Sequence, residues 1–132
     1  LLSHTMRVIE RDMIQAIKDK RDWKSSNTSV DITPMHAEVC LHGNLIAKYN
    51  YRKEELIVSS AGWETNTTKS RLNALVNEFL DGTQNGIFQK AHVWYITDNG
   101  RTRPFQPGFN SFDRAVAIDV EHCVMADAVA VL

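Results

Sequence analysis

A polar turn that leads directly into an amphipathic helix constrains the fold of this chain more than any other stretch. It covers residues 62–75 and reads GWETNTTKSRLNAL. Because Ser, Thr and Asn side chains accept hydrogen bonds from a helix N-terminus, we expect Thr67 or Thr68 to be the N-cap residue. Gly82 stands where a glycine after the helix C-terminus is expected. The predicted apolar face of this helix consists of Leu72, Leu75, Val76, Phe79 and Leu80.

A second amphipathic helix is predicted near the start of the sequence. Its apolar residues recur at three- and four-residue steps, at Met6, Ile9, Met13 and Ile17. Thr5 is the expected N-cap residue of this helix. Trp23 and the polar cluster at 25–27 are expected to end it.

Short antiparallel strands are predicted between the two helices. Residues 28–32 are rich in β-branched side chains, and residues 36–42 alternate strictly between apolar and polar types. The Gly-Asn pair at 43–44 is expected to form a tight turn into a partner strand at 45–49. A further strand at 55–59 continues this meander.

The chain after the second helix is predicted to consist of strands and a loop. A short strand segment at 87–88 precedes an aromatic and β-branched strand at 91–97. An Asn-Gly turn at 99–100 leads into a short returning strand at 101–103. The Pro-Gly pair within 107–111 marks this segment as a loop.

These elements predict a single α+β domain over residues 1–132, with both amphipathic helices packed on one face of a mostly antiparallel β-sheet. Residues 1–5 are either a native start or a remnant ahead of Met6. The chain is 43% hydrophobic and 23% charged, which is typical of a globular domain and not of a disordered chain. No apolar run reaches the roughly 18 residues of a membrane-spanning helix, so no membrane contact is expected.

The charge balance limits the classes of partner. Fifteen basic and sixteen acidic residues give a net charge of −1. Since no global positive field attracts the chain to nucleic acid, any such binding must come from a local patch. Cys40 and Cys123 are too few for a disulfide scaffold, and we expect them to be reduced thiols.

Several stretches resemble small uncharacterised proteins encoded by tailed bacteriophages. They are residues 41–47, 61–75, 86–90 and 93–95. The resemblance spans roughly residues 6–97, and it implies a phage or marine viral origin and a small protein that acts in the host cytoplasm. It implies no catalytic residues, because no activity is assigned to these proteins.

The candidate binding site lies at the start of the second helix. A helix N-terminus presents unpaired N–H groups and a partial positive charge, and nearby lysine and arginine side chains add cations. A tryptophan beside it offers a flat surface on which a base can stack. These features predict a site for nucleic acid or another phosphate-bearing ligand, formed by Trp63, Thr65, Asn66, Thr68, Lys69 and Arg71. The alternative is that the polar residues only cap the helix, that Trp63 packs in the core and that Lys69 and Arg71 are solvated.

Potential metal ligands on one face of the strand at 36–42 are a weaker signal. They are His36, Glu38, Cys40 and His42. Residues two apart on a strand are separated by about 7 Å, and no CxxC or HxxxH spacing is present, so a polar sheet face is the favoured interpretation. Cys40 and His42 are the residue types of a nucleophile and base, but the chain has no GxSxG elbow and no glycine-rich phosphate loop. We therefore expect no metal, no cofactor and no catalytic residues.

The segment at 88–95, followed by Arg101 and Arg103, interleaves aromatic rings with cations as single-strand-binding proteins do. An ordinary core strand explains the same pattern, because alternation buries every second ring. Either Trp94 is in the core and Lys90 and His92 are on the surface, or the reverse.

The expected function is that of a non-enzymatic phage accessory protein that binds a host or phage macromolecule, with nucleic acid as one candidate partner at 63–71. The alternative is a structural or protein-interaction module that has no ligand site and forms a homo-oligomer. The small apolar residues of 115–132 favour self-association, since an unprotected apolar edge invites pairing with a second chain.

Overall fold

A computed structural model describes residues 6–112 of the chain. Within that range the helices are α1 (Val8–Lys18) and α2 (Asn66–Phe79). The strands are β1 (Trp23–Ser25), β2 (Thr28–Ile32), β3 (His36–Leu41), β4 (Asn44–Asn50), β5 (Glu55–Val58), β6 (Gly86–Lys90), β7 (Val93–Asp98), β8 (Arg101–Pro104) and β9 (Asn110–Ser111). The predictions for Thr5 and for the apolar tail at 115–132 lie outside the described residues.

The nine strands form two antiparallel sheets. One sheet has six strands in the order β1-β2-β3-β4-β5-β9, and the other has three in the order β6-β7-β8. Helix α1 packs on β1 and β2, helix α2 packs on β4, β5 and β6, and the helices contact each other. The predicted α+β class with mostly antiparallel strands and two packed helices is confirmed. The strands are divided between two sheets, however, where a single sheet was predicted.

Alternation along the strands and periodicity along the helices build one hydrophobic core. In β3 the side chains of Ala37, Val39 and Leu41 are buried, as their alternation predicted. The apolar faces of the helices meet them through Met13, Ile17, Leu72 and Leu75, all fully buried.

Two hairpin turns contain non-glycine residues with positive φ and differ from the sequence-based predictions. His42 (φ 50°) and Gly43 (φ 80°) join β3 to β4, and Leu41 pairs with Asn44. The predicted turn at 43–44 is therefore wrong by one residue, and His42 leaves the strand face. Two-residue turns with positive φ match the twist of the flanking strands, which explains why this register is adopted.

The second difference is between β6 and β7. Ala91 (φ 51°) and His92 (φ 67°) form a two-residue turn, because Lys90 pairs with Val93. The predicted continuous strand at 91–97 is wrong at its first two residues, since neither alanine nor histidine signals a turn in sequence.

Two short strands occupy segments that were not predicted to be strands. Trp23–Ser25 pairs with β2, and Asn110–Ser111 pairs with β5 inside the predicted loop. Both are too short to show alternation. The C-terminus of α2 also differs, since Leu80 is its extended C-cap residue and Gly82 follows two positions later.

A buried ion pair joins the two helices. Arg71 Nη1 donates to Glu10 Oε2 at 2.7 Å, and these side chains are 4% and 0% exposed. Arg71 Nε also donates to Thr28 Oγ1 of β2 at 3.0 Å. Glu10 accepts further hydrogen bonds from Ser70 Oγ at 2.6 Å and from the backbone N–H of Arg7 at 3.0 Å. The network thus ties α1, α2 and the six-stranded sheet together with both charges paired.

This network sets the ionisation of Glu10. Burial raises the pKa of the Glu10 carboxyl group, but the hydrogen bonds from Ser70, from the Arg7 backbone and from Arg71, together with the Arg71 charge, outweigh burial. The net pKa lies below its ordinary value of 4.5. Glu10 is therefore a carboxylate at neutral pH, as the pairing with Arg71 requires.

Asparagine and arginine side chains hold the three-stranded sheet in place. Asn73 of α2 pairs with the backbone of Ile87 in both directions, with Nδ2 to O and N to Oδ1 distances of 2.8 Å each. Arg103 of β8 bonds to Asp98 Oδ2 and to the carbonyl oxygen of Ser111, each at 2.7 Å. The small sheet is thereby connected to α2 on one side and to β9 on the other.

Replacing Arg71 by methionine should lower the free energy of unfolding by about 3–5 kcal/mol, because Glu10 then remains buried without its charged partner. The matched control is Lys69→Met on the same helix, which should change stability by less than about 1 kcal/mol. Urea unfolding followed by circular dichroism measures both. Equal small losses in the two variants would contradict the structural role of Arg71.

Stability should also fall in acid through Glu10. A carboxyl group whose pKa is depressed by folding contributes stability above the pKa of the unfolded chain, and this contribution is lost as the pH falls through the folded-state value. The free energy of unfolding should therefore drop as the pH decreases below 4.5, and the drop should be shallower in Glu10→Gln. Urea unfolding across this range tests it, with exposed Glu64→Gln as the control that keeps the wild-type slope.

Candidate functional site: a groove beside the start of helix α2

A half-open groove of about 420 Å³ lies between the β3–β4 hairpin end and the start of α2. Its walls are mainly apolar. The lining residues are Leu41, His42, Asn44, Ile46, Ser60, Ala61, Trp63, Thr65, Thr67 and Thr68. Strand pairing creates this groove, since the Ser59 N–H donates to the Ile46 carbonyl at 2.7 Å and brings the end of β5 beside the hairpin.

Trp63 stands at the groove with 63% of its surface exposed. A tight turn holds its backbone: the Trp63 N–H donates to the Ser60 carbonyl at 2.9 Å, and Gly62 adopts a φ of 86°. The Ser60 hydroxyl oxygen accepts from the Gly62 N–H at 3.2 Å. The alternative that Trp63 packs in the core is therefore wrong, and a large aromatic ring is presented to solvent beside an apolar groove.

The cap of α2 is Thr65, not Thr67 or Thr68. Its backbone is extended, and its hydroxyl oxygen accepts from the Thr68 N–H at 3.1 Å. The Thr65 and Thr68 hydroxyls also lie within hydrogen-bond distance of each other at 3.0 Å, and Thr68 is buried. These two predicted ligand donors are thus engaged in capping the helix.

The predicted site residues separate into two groups. Trp63, Thr65 and Asn66 are exposed and Lys69 is half-buried, whereas Thr68 and Arg71 are buried. The interpretation of Arg71 as a mobile surface cation is wrong, because its guanidinium group binds Glu10 and Thr28 inside the protein. Of the two predicted cations, only Lys69 remains available to a ligand near the turn.

The strand face with potential metal ligands is occupied by other contacts. Glu38 lies 3.7 Å from Lys48 Nζ, and His36 Nε2 lies 3.3 Å from Asn50 Nδ2. Within residues 6–112, no group of three His, Cys, Asp or Glu side chains is arranged to hold a metal ion.

Cys40 is not activated as a nucleophile. Burial and the nearby Asp31 and Glu38 carboxylates raise the pKa of its thiol, and a hydrogen bond with Ser29 offsets this only partly. A raised pKa reduces the fraction of reactive thiolate at neutral pH. Its suggested base, His42, lies in the hairpin turn.

A comparison with protein-family models identifies the family of the chain. The model described as Kyanoviridae Gp96 protein matches residues 6–112. The chain belongs to the Kyanoviridae Gp96 protein family. The predicted resemblance to phage proteins is confirmed, and the family match extends through β8 and β9, beyond residue 97. No curated protein and no solved structure matches the chain.

In the part of the chain from 6 to 112, neither α1 nor α2 has the length and apolar character needed to span a bilayer.

Sequence reasoning missed the hairpin wall of the groove. Leu41, Asn44 and Ile46 contribute to it, although they lie far before the α2 turn in sequence. The groove depends on the β4–β5 register, in which Ala47 pairs with Val58, and no local pattern specifies that pairing. Of the lining residues, the predicted site included Trp63, Thr65 and Thr68.

Thr65→Ala should destabilise the protein by about 0.5–2 kcal/mol, because the α2 N-terminus loses its side-chain cap. The matched control is Thr67→Ala, which removes a threonine from the first turn of the same helix without removing the capping oxygen. Thermal and urea unfolding compare the two variants. A loss no larger than that of Thr67→Ala would show that Thr65 does not act as the cap.

Proposed function

We propose that this phage protein is a non-enzymatic accessory protein that binds a host or phage macromolecule in the host cytoplasm. The binding site is the groove beside α2, and the bound element is an apolar or aromatic group of the partner that packs against Trp63. The observation that carries the proposal is the conjunction of an exposed tryptophan and a mainly apolar groove of about 420 Å³. Aromatic rings at the mouth of apolar pockets are typical anchors of macromolecular interfaces.

The character of the groove favours packing over phosphate recognition. Thr65 and Thr68 use their hydroxyls in the helix cap, and Arg71 is paired internally. Lys69 and exposed Asn66 are then the remaining polar contributors from the predicted set. A nucleic acid at residues 63–71 would consequently be bound mainly by base stacking on Trp63, with Lys69 near the backbone.

The environments of Cys40 and of the potential metal ligands support the non-enzymatic part of the proposal. Cys40 has a raised pKa, and the potential metal ligands of β3 are engaged in separate contacts. The groove itself contains hydroxyl groups, one amide and one imidazole, without a carboxylate to orient that imidazole. Binding is therefore the activity that this geometry fits best.

Trp63→Ala should abolish or strongly reduce capture of the partner from infected host cells while leaving the fold intact, because the exposed ring contributes little to the core. The matched control is Phe109→Ala, which removes an exposed aromatic side chain that does not line the groove. Affinity capture followed by protein and nucleic-acid identification gives the readout. Nuclease treatment of the lysate then separates a nucleic-acid partner from a protein partner.

Equal capture by Trp63→Ala and the unmutated protein would overturn the groove as the binding site. Circular dichroism and urea unfolding of both variants verify that a loss of capture does not come from unfolding.

A further inference from the structure

The three-stranded sheet presents an exposed aromatic surface on the side away from the core. Phe88 and Tyr95 are cross-strand partners, with ring centroids 5.5 Å apart and planes within 21° of parallel. Strand register places Lys90 and Val93 on the same side as these rings, and places Pro104 opposite Tyr95. We call this set the aromatic face; it consists of Phe88, Lys90, Val93, Tyr95, Thr97, Thr102 and Pro104.

The core does not require the side chains of the aromatic face. Alternation in β6 and β7 buries Ile87, Trp94 and Ile96 on the opposite side, which resolves the alternatives for Trp94 in favour of the core. On the aromatic face, Phe88 is 39% exposed and Val93 is 47% exposed within the described part of the chain. Exposed apolar side chains grouped at one place mark interaction surfaces more often than isolated ones do.

The charge around this face has a sign different from that of the whole chain. Between residues 86 and 105 there are three cations, Lys90, Arg101 and Arg103, and one carboxylate, Asp98. Asp98 is buried on the other side of the sheet and bonds to Arg103. Lys90 is exposed on the aromatic face, and Arg101 is exposed on the side of its cross-strand partner Asp98, so the strands carry a local positive charge although the net charge of the chain is −1.

Polar groups on the face are suited to contact a phosphate–sugar backbone. The Thr97 and Thr102 hydroxyls lie 3.2 Å apart across β7 and β8, at the end of the face farther from Lys90. Hydroxyl, lysine and arginine groups are the usual contacts to phosphate and sugar oxygens. The aromatic pair therefore lies between two sets of potential backbone contacts.

We propose that the aromatic face binds single-stranded nucleic acid. Bases stack on Phe88 and Tyr95, while Lys90 contacts a phosphate and the Thr97 and Thr102 hydroxyls contact the backbone. Single strands expose the base faces that such rings need, whereas a duplex hides them. Positive charge without an exposed carboxylate on the strands favours an anionic occupant over a purely apolar protein surface, and the aromatic pair favours an anionic occupant that carries flat bases.

This inference goes beyond the groove proposed above, because the two surfaces share no residue. The groove holds an apolar or aromatic group of a partner at Trp63, and the aromatic face holds a strand of nucleic acid. A variant at one surface should leave binding at the other unchanged, so the two proposals can fail independently.

The test uses the full chain and fluorescein-labelled oligothymidylate and oligouridylate of about 15 nucleotides, the upper range for a small single-strand site. Fluorescence anisotropy at low salt should detect binding of at least one of them and weaker binding of a duplex of the same length. Phe88→Ala and Tyr95→Ala should each weaken binding about 5- to 150-fold, as expected for the loss of one stacked base. Phe88→Leu keeps an apolar side chain and should show a loss of similar size.

Controls separate this surface from the others. Phe109→Ala, which changes an exposed aromatic residue outside both surfaces, should bind the oligonucleotides as the unmutated protein does. Lys90→Gln should reduce the slope of the logarithm of affinity against the logarithm of salt concentration by about 1. Urea unfolding of each variant identifies any that is not folded, and Phe88→Leu then replaces Phe88→Ala.

Three results would overturn the proposal. One is no binding of either oligonucleotide by the unmutated protein at low salt. Another is unchanged binding by all the folded variants of Phe88 and Tyr95. The third is a change of molecular mass in those variants by light scattering without a change in oligonucleotide affinity, which would identify a second copy of the chain as the occupant.

Discussion

The buried ion pair between Glu10 and Arg71 is the interaction on which the arrangement of the two helices depends. It connects α1 to α2, and the Arg71–Thr28 bond extends it to the six-stranded sheet. Two charges in the interior are tolerated only because each has several partners, with Ser70 and the Arg7 backbone completing the set around Glu10. This network also fixes the rotation of α2, which determines what the start of the helix presents to solvent.

The orientation of α2 changes the meaning of the polar turn before it. Arg71 points inward and Thr65 caps the helix, so the residues that first indicated a phosphate site are largely structural. Trp63, in contrast, is exposed. Its side chain and the neighbouring β3–β4 hairpin line a groove with mainly apolar walls. The candidate site is therefore a mainly apolar groove beside the junction of the two helices and the six-stranded sheet.

Periodic patterns predicted the main elements well. Three- and four-residue spacing identified both helices, and alternation identified β3 with its buried side chains at Ala37, Val39 and Leu41. The burial of Arg71 was not predictable, because its partner Glu10 lies on the other helix and local sequence does not distinguish a paired arginine from a solvated one. The turn at Ala91 and His92 was not predicted for a related reason. Its positive φ values are imposed by the cross-strand register and not by residue type. Long-range pairing also creates the groove and the aromatic face.

The most direct test of this account is a double-mutant cycle on Glu10→Gln, Arg71→Met and the combined variant, measured by urea unfolding at neutral pH. If the pair joins the helices as described, the two losses of unfolding free energy should be non-additive by about 1–3 kcal/mol. The reason is that the first substitution already leaves the second residue without its partner. The combined variant should then be more stable than the sum of the single losses predicts. Additive losses within about 0.5 kcal/mol would contradict the claim that this ion pair organises the fold.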